Sequence, residues 1–112
     1  MTKRVEGKIA VVVGAGQTDG ETIGNGRAIA QLLAREGATV LCVDRVGDRA
    51  RETAERIAAE PGVVSPASWI GADITVSADC ARIVAEARAR YGRLDILVNN
   101  VGIGGGGDGP AH

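Results

Sequence analysis

The sequence predicts an α/β fold, in which helices cover both faces of a parallel sheet. Short runs rich in β-branched residues alternate along the chain with stretches that have helical periodicity, and the first run leads directly into a cluster of glycines. Strands that alternate with helices are joined by right-handed crossovers, which make neighbouring strands parallel. With 112 residues, the chain has room for one domain of this kind.

The first half of the chain contains two predicted strands, each followed by a helix. Residues 8–13 form a β-branched run that ends in glycine, as a strand buried on both faces does. Residues 26–36 then repeat apolar side chains at helical spacing, and Gly37 is suited to end this helix. Residues 39–43 predict the second strand, and residues 48–60 predict a second helix with a small apolar face.

The second half predicts two further strands around a third helix. Residues 68–70 form a weak third strand, and residues 94–98 form an apolar fourth strand. Ser77 is expected to cap the intervening helix, whose apolar stripe continues to Tyr91. In the strand order 3-2-1-4 the fourth strand is an edge, although it is apolar enough for neighbours on both sides. We therefore expect the amino-terminal half of a doubly wound sheet, in a protein that continues beyond His112.

Composition argues against several classes of partner and location. The 13 basic and 14 acidic residues nearly cancel, which argues against binding to nucleic acid or to an anionic membrane. No apolar run approaches the roughly 20 residues of a membrane span, and the amino terminus lacks a secretory signal, so we expect a cytoplasmic protein. Cys42 and Cys80 stand far apart in apolar periodic segments, so we expect buried thiols and no metal site.

The turn between the first strand and the first helix is the first candidate site. Its glycines would let the backbone approach a pyrophosphate, and the free N–H groups at a helix start favour negative charge. Asp19 and Glu21 would be repelled by a pyrophosphate, so they are expected to point towards solvent or substrate. The candidate dinucleotide-binding residues in this turn are Gly14, Gly24, Asn25 and Gly26.

The end of the second strand is the second candidate site. Asp44 stands there, 20 residues after Gly24. A carboxylate at this position can accept hydrogen bonds from the adenosine ribose hydroxyls, and it repels a phosphate on the 2′ oxygen. These effects predict NAD as the cofactor. NADP is the less favoured alternative, because Arg45 could bind a 2′-phosphate if Asp44 pointed away.

With these features the chain resembles the short-chain dehydrogenases/reductases over nearly its whole length. The glycine motif of that family, Thr-Gly-x-x-x-Gly-x-Gly, matches Gly14, Gly24 and Gly26. Val13 replaces the threonine, and the segment between the first two glycines is six residues longer than in the family pattern. The added length leaves the individual phosphate contacts open.

Two further motifs of the family match later in the chain. Its Asp followed by an apolar residue matches Asp73-Ile74, and its Asn-Asn-Ala-Gly motif matches residues 99–102 except for Val101. The resemblance implies that Asp73 bonds the adenine amino group, that Ile74 packs near the ring, and that Asn99 ties neighbouring strands together. The residues expected to lie along the cofactor are Asn100, Val101 and Gly102.

The resemblance also implies a Rossmann-type fold and an oxidoreductase that moves a hydride between a nicotinamide dinucleotide and a secondary alcohol or ketone. The catalytic serine, tyrosine and lysine of the family normally follow the part covered by this sequence, so no catalytic residue is predicted here. Tyr91 is expected to be a core residue, because Asp95 stands where a catalytic tyrosine would require lysine. The complete protein is expected to act on a small molecule and to form a homo-oligomer.

Two other interpretations stay open at this point. Residues 22–26 also resemble the Ser-Ile-Ala-x-Gly segment of the divergent enoyl reductases, which reduce a carbon–carbon double bond. Asp44 and residues 99–102 favour the alcohol or ketone type instead. A non-catalytic nucleotide-binding protein could also be built on the same fold, since fold alone does not define function.

Overall fold

The computed structural model of the protein describes residues 4–16, 25–63 and 67–100. Strands and helices alternate within these ranges, and their limits lie within two residues of those expected. The strands are β1 (Ile9–Val13), β2 (Thr39–Asp44), β3 (Ala67–Gly71) and β4 (Ile96–Asn99). The helices are α1 (Asn25–Arg35), α2 (Gly47–Ala58) and α3 (Ser77–Tyr91). None of the helices in these ranges combines the length and apolar character needed to cross a bilayer.

The strands form one parallel sheet in the order β3-β2-β1-β4, which confirms the predicted α/β fold and the Rossmann-type strand order. β1 is central, and its Val11 pairs with Leu41 of β2 on one side and with Leu97 of β4 on the other. Because the strands are parallel, all their carboxyl ends meet at one edge of the sheet, where ligands bind in folds of this class.

Helices α1 and α2 cover one face of the sheet, here called the α1/α2 face. Their alanines pack with Val12 and Cys42 in one buried cluster, and Ile96 and Val98 of β4 are partly buried against it. Small side chains allow the two helices to lie close to the sheet. The buried alanines are Ala30, Ala34, Ala50 and Ala54.

Helix α3 covers the opposite face, here called the α3 face, only in part. Ile83 and Ala87 form a buried cluster with Val11 and Leu41, whereas Leu97 on the same face is 59% exposed. An apolar groove of about 280 Å³ lies beside β4 on this face. It is lined by Val13, Ile74, Cys80, Ile83, Val84, Leu97 and Asn99. The α3 face is therefore open at β4.

Two predictions for α3 are wrong. Ser77 is the first helical residue rather than the cap, because the chain is still extended at Val76, which makes no side-chain capping bond. Cys80 is exposed rather than buried, because its side of α3 borders the open groove at β4. The prediction for Cys42 is confirmed, since this thiol is fully buried in β2. The apolar periodicity of α3 thus marks a stripe that is covered over only part of its length.

Tyr91 packs against the core, as predicted, but it is not itself fully buried. Its ring is half-buried and packs against the cluster beneath α3. Its hydroxyl is hydrogen-bonded to the hydroxyl of Ser68 in β3. Tyr91 therefore joins the end of α3 to the neighbouring strand.

Candidate functional site

The candidate site lies along the carboxyl edge of the sheet. Gly14 follows β1, Asp44 ends β2, Asp73 follows β3 and Asn100 follows β4. The backbone N–H of Ala72 donates to the carbonyl of Asp44 at 3.0 Å, which continues the pairing of β3 with β2 up to this edge. The parallel sheet thus brings to one edge residues that are far apart in the sequence.

The first part of the glycine turn is anchored to β2. Gly14 has a φ of +78°, a left-handed conformation that favours glycine. The N–H groups of Gly14 and Ala15 both donate to the carbonyl of Val43, at 2.8 and 3.0 Å. These two N–H groups are therefore engaged within the fold, and a phosphate needs donors from farther along the turn.

Helix α1 begins directly against this turn. A Cβ atom on Gly26 would stand 1.7 Å from the carbonyl oxygen of Gly14, so the helix can approach the turn only with glycine at this position. Asn25 and Gly26 are the first residues of α1. Backbone N–H groups in the first turn of a helix have no acceptor within the helix and carry its positive dipole end. The start of α1 is thus the best-suited anion site among the described residues.

Asp44 links β2 to the glycine turn through its half-buried side chain. Oδ2 accepts a hydrogen bond from the N–H of Gly16, and Oδ1 accepts one from the N–H of Val46, both at 3.0 Å. A carboxylate has about four acceptor positions, and these two bonds with described residues occupy two of them. A Cβ atom on Gly16 would stand 2.8 Å from Oδ2, which shows how closely the turn approaches this carboxylate.

Asp73 lies beyond β3 as a partly exposed carboxylate. Its Oδ1 accepts hydrogen bonds from the hydroxyl and the N–H of Thr75, at 2.6 and 2.9 Å. These bonds, with a smaller contribution from the charge of Arg45, hold the pKa of Asp73 below its usual range. Asp73 therefore remains an acceptor at neutral pH. The next residue, Ile74, is half-buried against the cluster beneath α3 and borders the open groove.

The end of β4 completes the described part of this edge. Asn99 pairs in register with Val13, and the N–H of Asn100 donates to the carbonyl of Val13 at 2.9 Å. Asn100, the first residue after β4, therefore lies directly beside the start of the glycine turn.

Residues 8–112 match the family model of the short chain dehydrogenases. The match covers the glycine turn, Asp44, the pair Asp73-Ile74 and residues 99–102. The chain belongs to the short-chain dehydrogenase/reductase family. It spans about a third of the length of the curated short-chain dehydrogenase relatives it matches.

Several relatives and solved structures that are similar to the chain are named dehydrogenases or reductases. The chain is 42% identical over 102 residues to 1,6-dihydroxycyclohexa-2,4-diene-1-carboxylate dehydrogenase of Pseudomonas putida, with 91% of this chain and 34% of that enzyme covered. A hydroxysteroid dehydrogenase from Escherichia coli is similar with a TM-score of 0.77 at 33% identity, covering 90% of this chain and 39% of the other. A 3-ketoacyl-(acyl-carrier-protein) reductase from Brucella melitensis, solved with NADH, has a TM-score of 0.69 at 34% identity, covering 84% and 34%. Oxidoreductase chemistry is therefore the function of the family.

Some of the predicted site residues lie outside the described ranges. These are Gly24, Val101 and Gly102, together with Asp19 and Glu21 of the long turn. Residues 22–24, which carry most of the resemblance to the enoyl reductases, also lie outside them. The described candidates share the carboxyl edge, and their contacts with a cofactor stay predictions.

Two buried polar residues beneath the start of the turn were not predicted from the sequence. Thr53 of α2 is fully buried, and its hydroxyl donates to the carbonyl of Ala15 at 2.8 Å. Arg27 of α1 is 4% exposed, and its Nε donates to the Thr53 hydroxyl oxygen at 2.9 Å. One feature of the sequence could have indicated Arg27, namely its position next to Gly26, the glycine that packs on the turn.

Proposed function

We propose that this chain binds NAD at the carboxyl edge of its sheet and forms the cofactor-binding part of an oxidoreductase that acts on a secondary alcohol or ketone. The observation that carries the proposal is the Asp44 carboxylate, which is bonded to the glycine turn at Gly16. One side chain thus connects the ribose end of a dinucleotide site to its phosphate end. NAD, when bound, supplies the acceptor of the hydride.

The adenosine end of the site would be formed by three side chains after β2 and β3. Asp44 would accept hydrogen bonds from the ribose hydroxyls with the acceptor positions that Gly16 and Val46 leave open. Asp73 would accept a bond from the adenine amino group, with Ile74 beside the ring. Since the pKa of Asp73 is below its usual range, this acceptor is present throughout the neutral range.

The pyrophosphate would be bound at the start of α1. The N–H groups of Gly14 and Ala15 are engaged with Val43, so the free donors expected at Asn25 and Gly26, with Gly24 before them, are better suited. Asn100, Val101 and Gly102 would then follow the cofactor towards its nicotinamide end. This arrangement supports a dinucleotide rather than a mononucleotide, because the candidate residues extend across the ends of all the strands.

The remaining parts of the proposal concern the complete protein. The chain spans about a third of its curated relatives, so we place the proton-transfer residues and the pocket for a small-molecule substrate in the remaining two thirds of such a protein. We also propose a homo-oligomer and a cytoplasmic location for the complete protein.

The preference for NAD over NADP follows from charge. A hydrogen bond to a charged group contributes about 1.5–3 kcal/mol. Two like charges about 4 Å apart repel by ~1 kcal/mol in water and ~4 kcal/mol in an intermediate dielectric. Arg45 would offset part of the repulsion between Asp44 and a 2′-phosphate. We expect a net preference of about 1.5–3 kcal/mol, or about ten- to a hundredfold in affinity.

The test is the ratio of the dissociation constants for NADP and NAD, measured by calorimetry on the parent and on Asp44→Ala. The substitution also removes the acceptor of the Gly16 and Val46 N–H groups, so both affinities are expected to fall. A loss of affinity that is common to both cofactors cancels in the ratio of the two dissociation constants. This ratio should drop towards one. Asp73→Asn is the matched control, because the adenine is the same in both cofactors and the ratio should not change. A ratio that Asp44→Ala leaves unchanged would show that this carboxylate does not contact the ribose.

A further inference from the structure

A chain of polar contacts that starts at the surface and runs into the interior connects both helices of the α1/α2 face to the first part of the glycine turn. It begins at Glu52, whose Oε1 accepts from Nη2 of Arg27 at 2.7 Å. It continues from Nε of Arg27 to the Thr53 hydroxyl, and from that hydroxyl to the carbonyl of Ala15. Arg27 and Thr53 are almost completely buried, so the bonds that join Arg27, Thr53 and Ala15 are shielded from water, whereas the Glu52 side chain is 57% exposed.

The chain of hydrogen bonds has a single possible direction. A guanidinium group only donates, so the Thr53 oxygen must accept the bond from Arg27. The hydroxyl hydrogen is then left for the carbonyl of Ala15, which only accepts. Arg27 thereby orients the hydroxyl of Thr53 towards the turn. The charge of Arg27 is balanced by Glu52, whose pKa is lowered by the hydrogen bond from Arg27.

These bonds fix the peptide groups on both sides of Ala15. Its N–H donates to the carbonyl of Val43 at 3.0 Å, and its carbonyl accepts from Thr53 at 2.8 Å. The next N–H, that of Gly16, donates to the Asp44 carboxylate. Residues 15 and 16, in the described part of the turn, are therefore held by β2 on one side and by α2 on the other.

We propose that Thr53, oriented by Arg27, is a positioning residue for the pyrophosphate of the dinucleotide. The inference rests on the proposed function and names a residue that touches no part of the cofactor itself. Thr53 acts through two described contacts, the carbonyl of Ala15 at the start of the turn and the side chain of Arg27 in the first turn of α1. Loss of its hydroxyl leaves the carbonyl of Ala15 and Nε of Arg27 without this partner in the interior, and the turn shifts to restore hydrogen bonds.

The experiment compares two ligands that differ in phosphate. ADP-ribose contains the pyrophosphate, whereas adenosine contains only the base and ribose that Asp44 and Asp73 are proposed to bind. Dissociation constants for both are measured on the parent, on Thr53→Val and on Thr53→Ser. Valine keeps the shape of threonine without the hydroxyl, and serine keeps the hydroxyl.

We expect Thr53→Val to weaken ADP-ribose binding by about fivefold or more, the worth of about one hydrogen bond, and to change adenosine binding by less than about twofold. Thr53→Ser should bind both ligands within about twofold of the parent. A loss of overall stability would lower both affinities together, so the ratio separates positioning of the turn from general destabilisation. If Thr53→Val does not fold, Arg27→Lys gives the same test. This variant should also weaken ADP-ribose binding more than adenosine binding, but by a smaller factor.

Three results would overturn the inference. These are equal losses for both ligands, no loss for either, or a loss with Thr53→Ser as large as with Thr53→Val. The proposed function fails in a different way, because the parent itself would then bind neither ADP-ribose nor NAD, and the inference would fail with it.

Discussion

Strands β2 and β4 both pair with β1, one on each side, but they are buried to very different degrees. Residues 40–43 of β2 are all buried, whereas half-buried and exposed residues alternate along β4. Both strands are apolar in sequence, so the difference arises from what covers them. Helices lie on both faces of β2, whereas β4 is covered on the α1/α2 face and open on the α3 face.

This difference divides the candidate site into two parts. Asp44 ends the fully buried strand, and its carboxylate is bonded to the glycine turn. Asn100 follows the half-covered strand and is bonded to Val13 through its backbone N–H. The adenosine end of the proposed site thus lies at the end of a strand that is buried on both faces. The end that would follow the cofactor towards the nicotinamide begins on the strand with less support.

The largest expected effect is the difference between two identical substitutions in β2 and β4. Leu41 and Leu97 both pair with Val11 and point to the α3 face, but they are 0% and 59% exposed. Leu41→Ala should lower the free energy of unfolding by about 2–5 kcal/mol, because it leaves a cavity in the core. Leu97→Ala should cost less than about 1 kcal/mol.

Urea unfolding followed by circular dichroism measures both variants. Leu32→Ala, on an exposed part of α1, is the surface control. Equal losses for Leu41→Ala and Leu97→Ala would mean that β4 is covered on both faces in solution, for example by association of two copies.

The second expected effect concerns the two cysteines. Burial raises the pKa of the Cys42 thiol in β2 to about 12, whereas Cys80 is exposed beside the open groove at β4. The thiolate is the reactive form, so iodoacetamide at pH 8 should label Cys80 at least about a hundredfold faster than Cys42. Peptide mass spectrometry over a time course gives both rates, and denaturing urea should bring them together. Comparable rates in native buffer would contradict the closed packing around β2.

The smallest expected effect concerns pH and the amino end of β4. The N–H of Ile9 donates to the Asp95 carboxylate at 2.8 Å, and this bond, with the neighbouring Arg93, holds the pKa of Asp95 below its usual range. A carboxyl with a lowered folded-state pKa stabilises the fold at neutral pH. This contribution should decline as pH falls below about 4, the ordinary aspartate value, and disappear below the folded-state pKa.

Asp95→Asn keeps an oxygen acceptor but cannot titrate, so it should reduce the loss of stability between pH 7 and pH 3. The urea midpoint at each pH is the measurement, with Glu6→Gln as the control, because Glu6 is an exposed carboxylate before β1. If Asp95→Asn and the parent lose equal stability, the contact between Asp95 and β1 contributes nothing to the pairing of β4.

Most of the fold and the framework of the site could be predicted from the sequence. The β-branched run before Gly14, the carboxylate at Asp44 and the pair Asp73-Ile74 mark the ends of three strands, and the strand order follows from their alternation with helices. These signals are local, since they depend on side-chain period, on glycine and on the residue that ends each strand. The structure adds the bond between Asp44 and Gly16, which joins two sites that the sequence treated separately.

The sequence by itself determined the alternation of strands and helices, the Rossmann-type strand order and the position of the glycine turn. Each of these depends on the side-chain periodicity and the turn-forming residues of short segments. Only the tertiary structure decided which side chains are covered. The hydroxyl of Thr53 donates to the carbonyl of Ala15, which is 38 residues away in the sequence, and Arg27 of α1 donates to Thr53 of α2. Cys80 lies on the part of the apolar stripe of α3 that the described part of the chain leaves exposed. Burial depends on neighbours from distant segments, and a repeating pattern in one segment does not specify them.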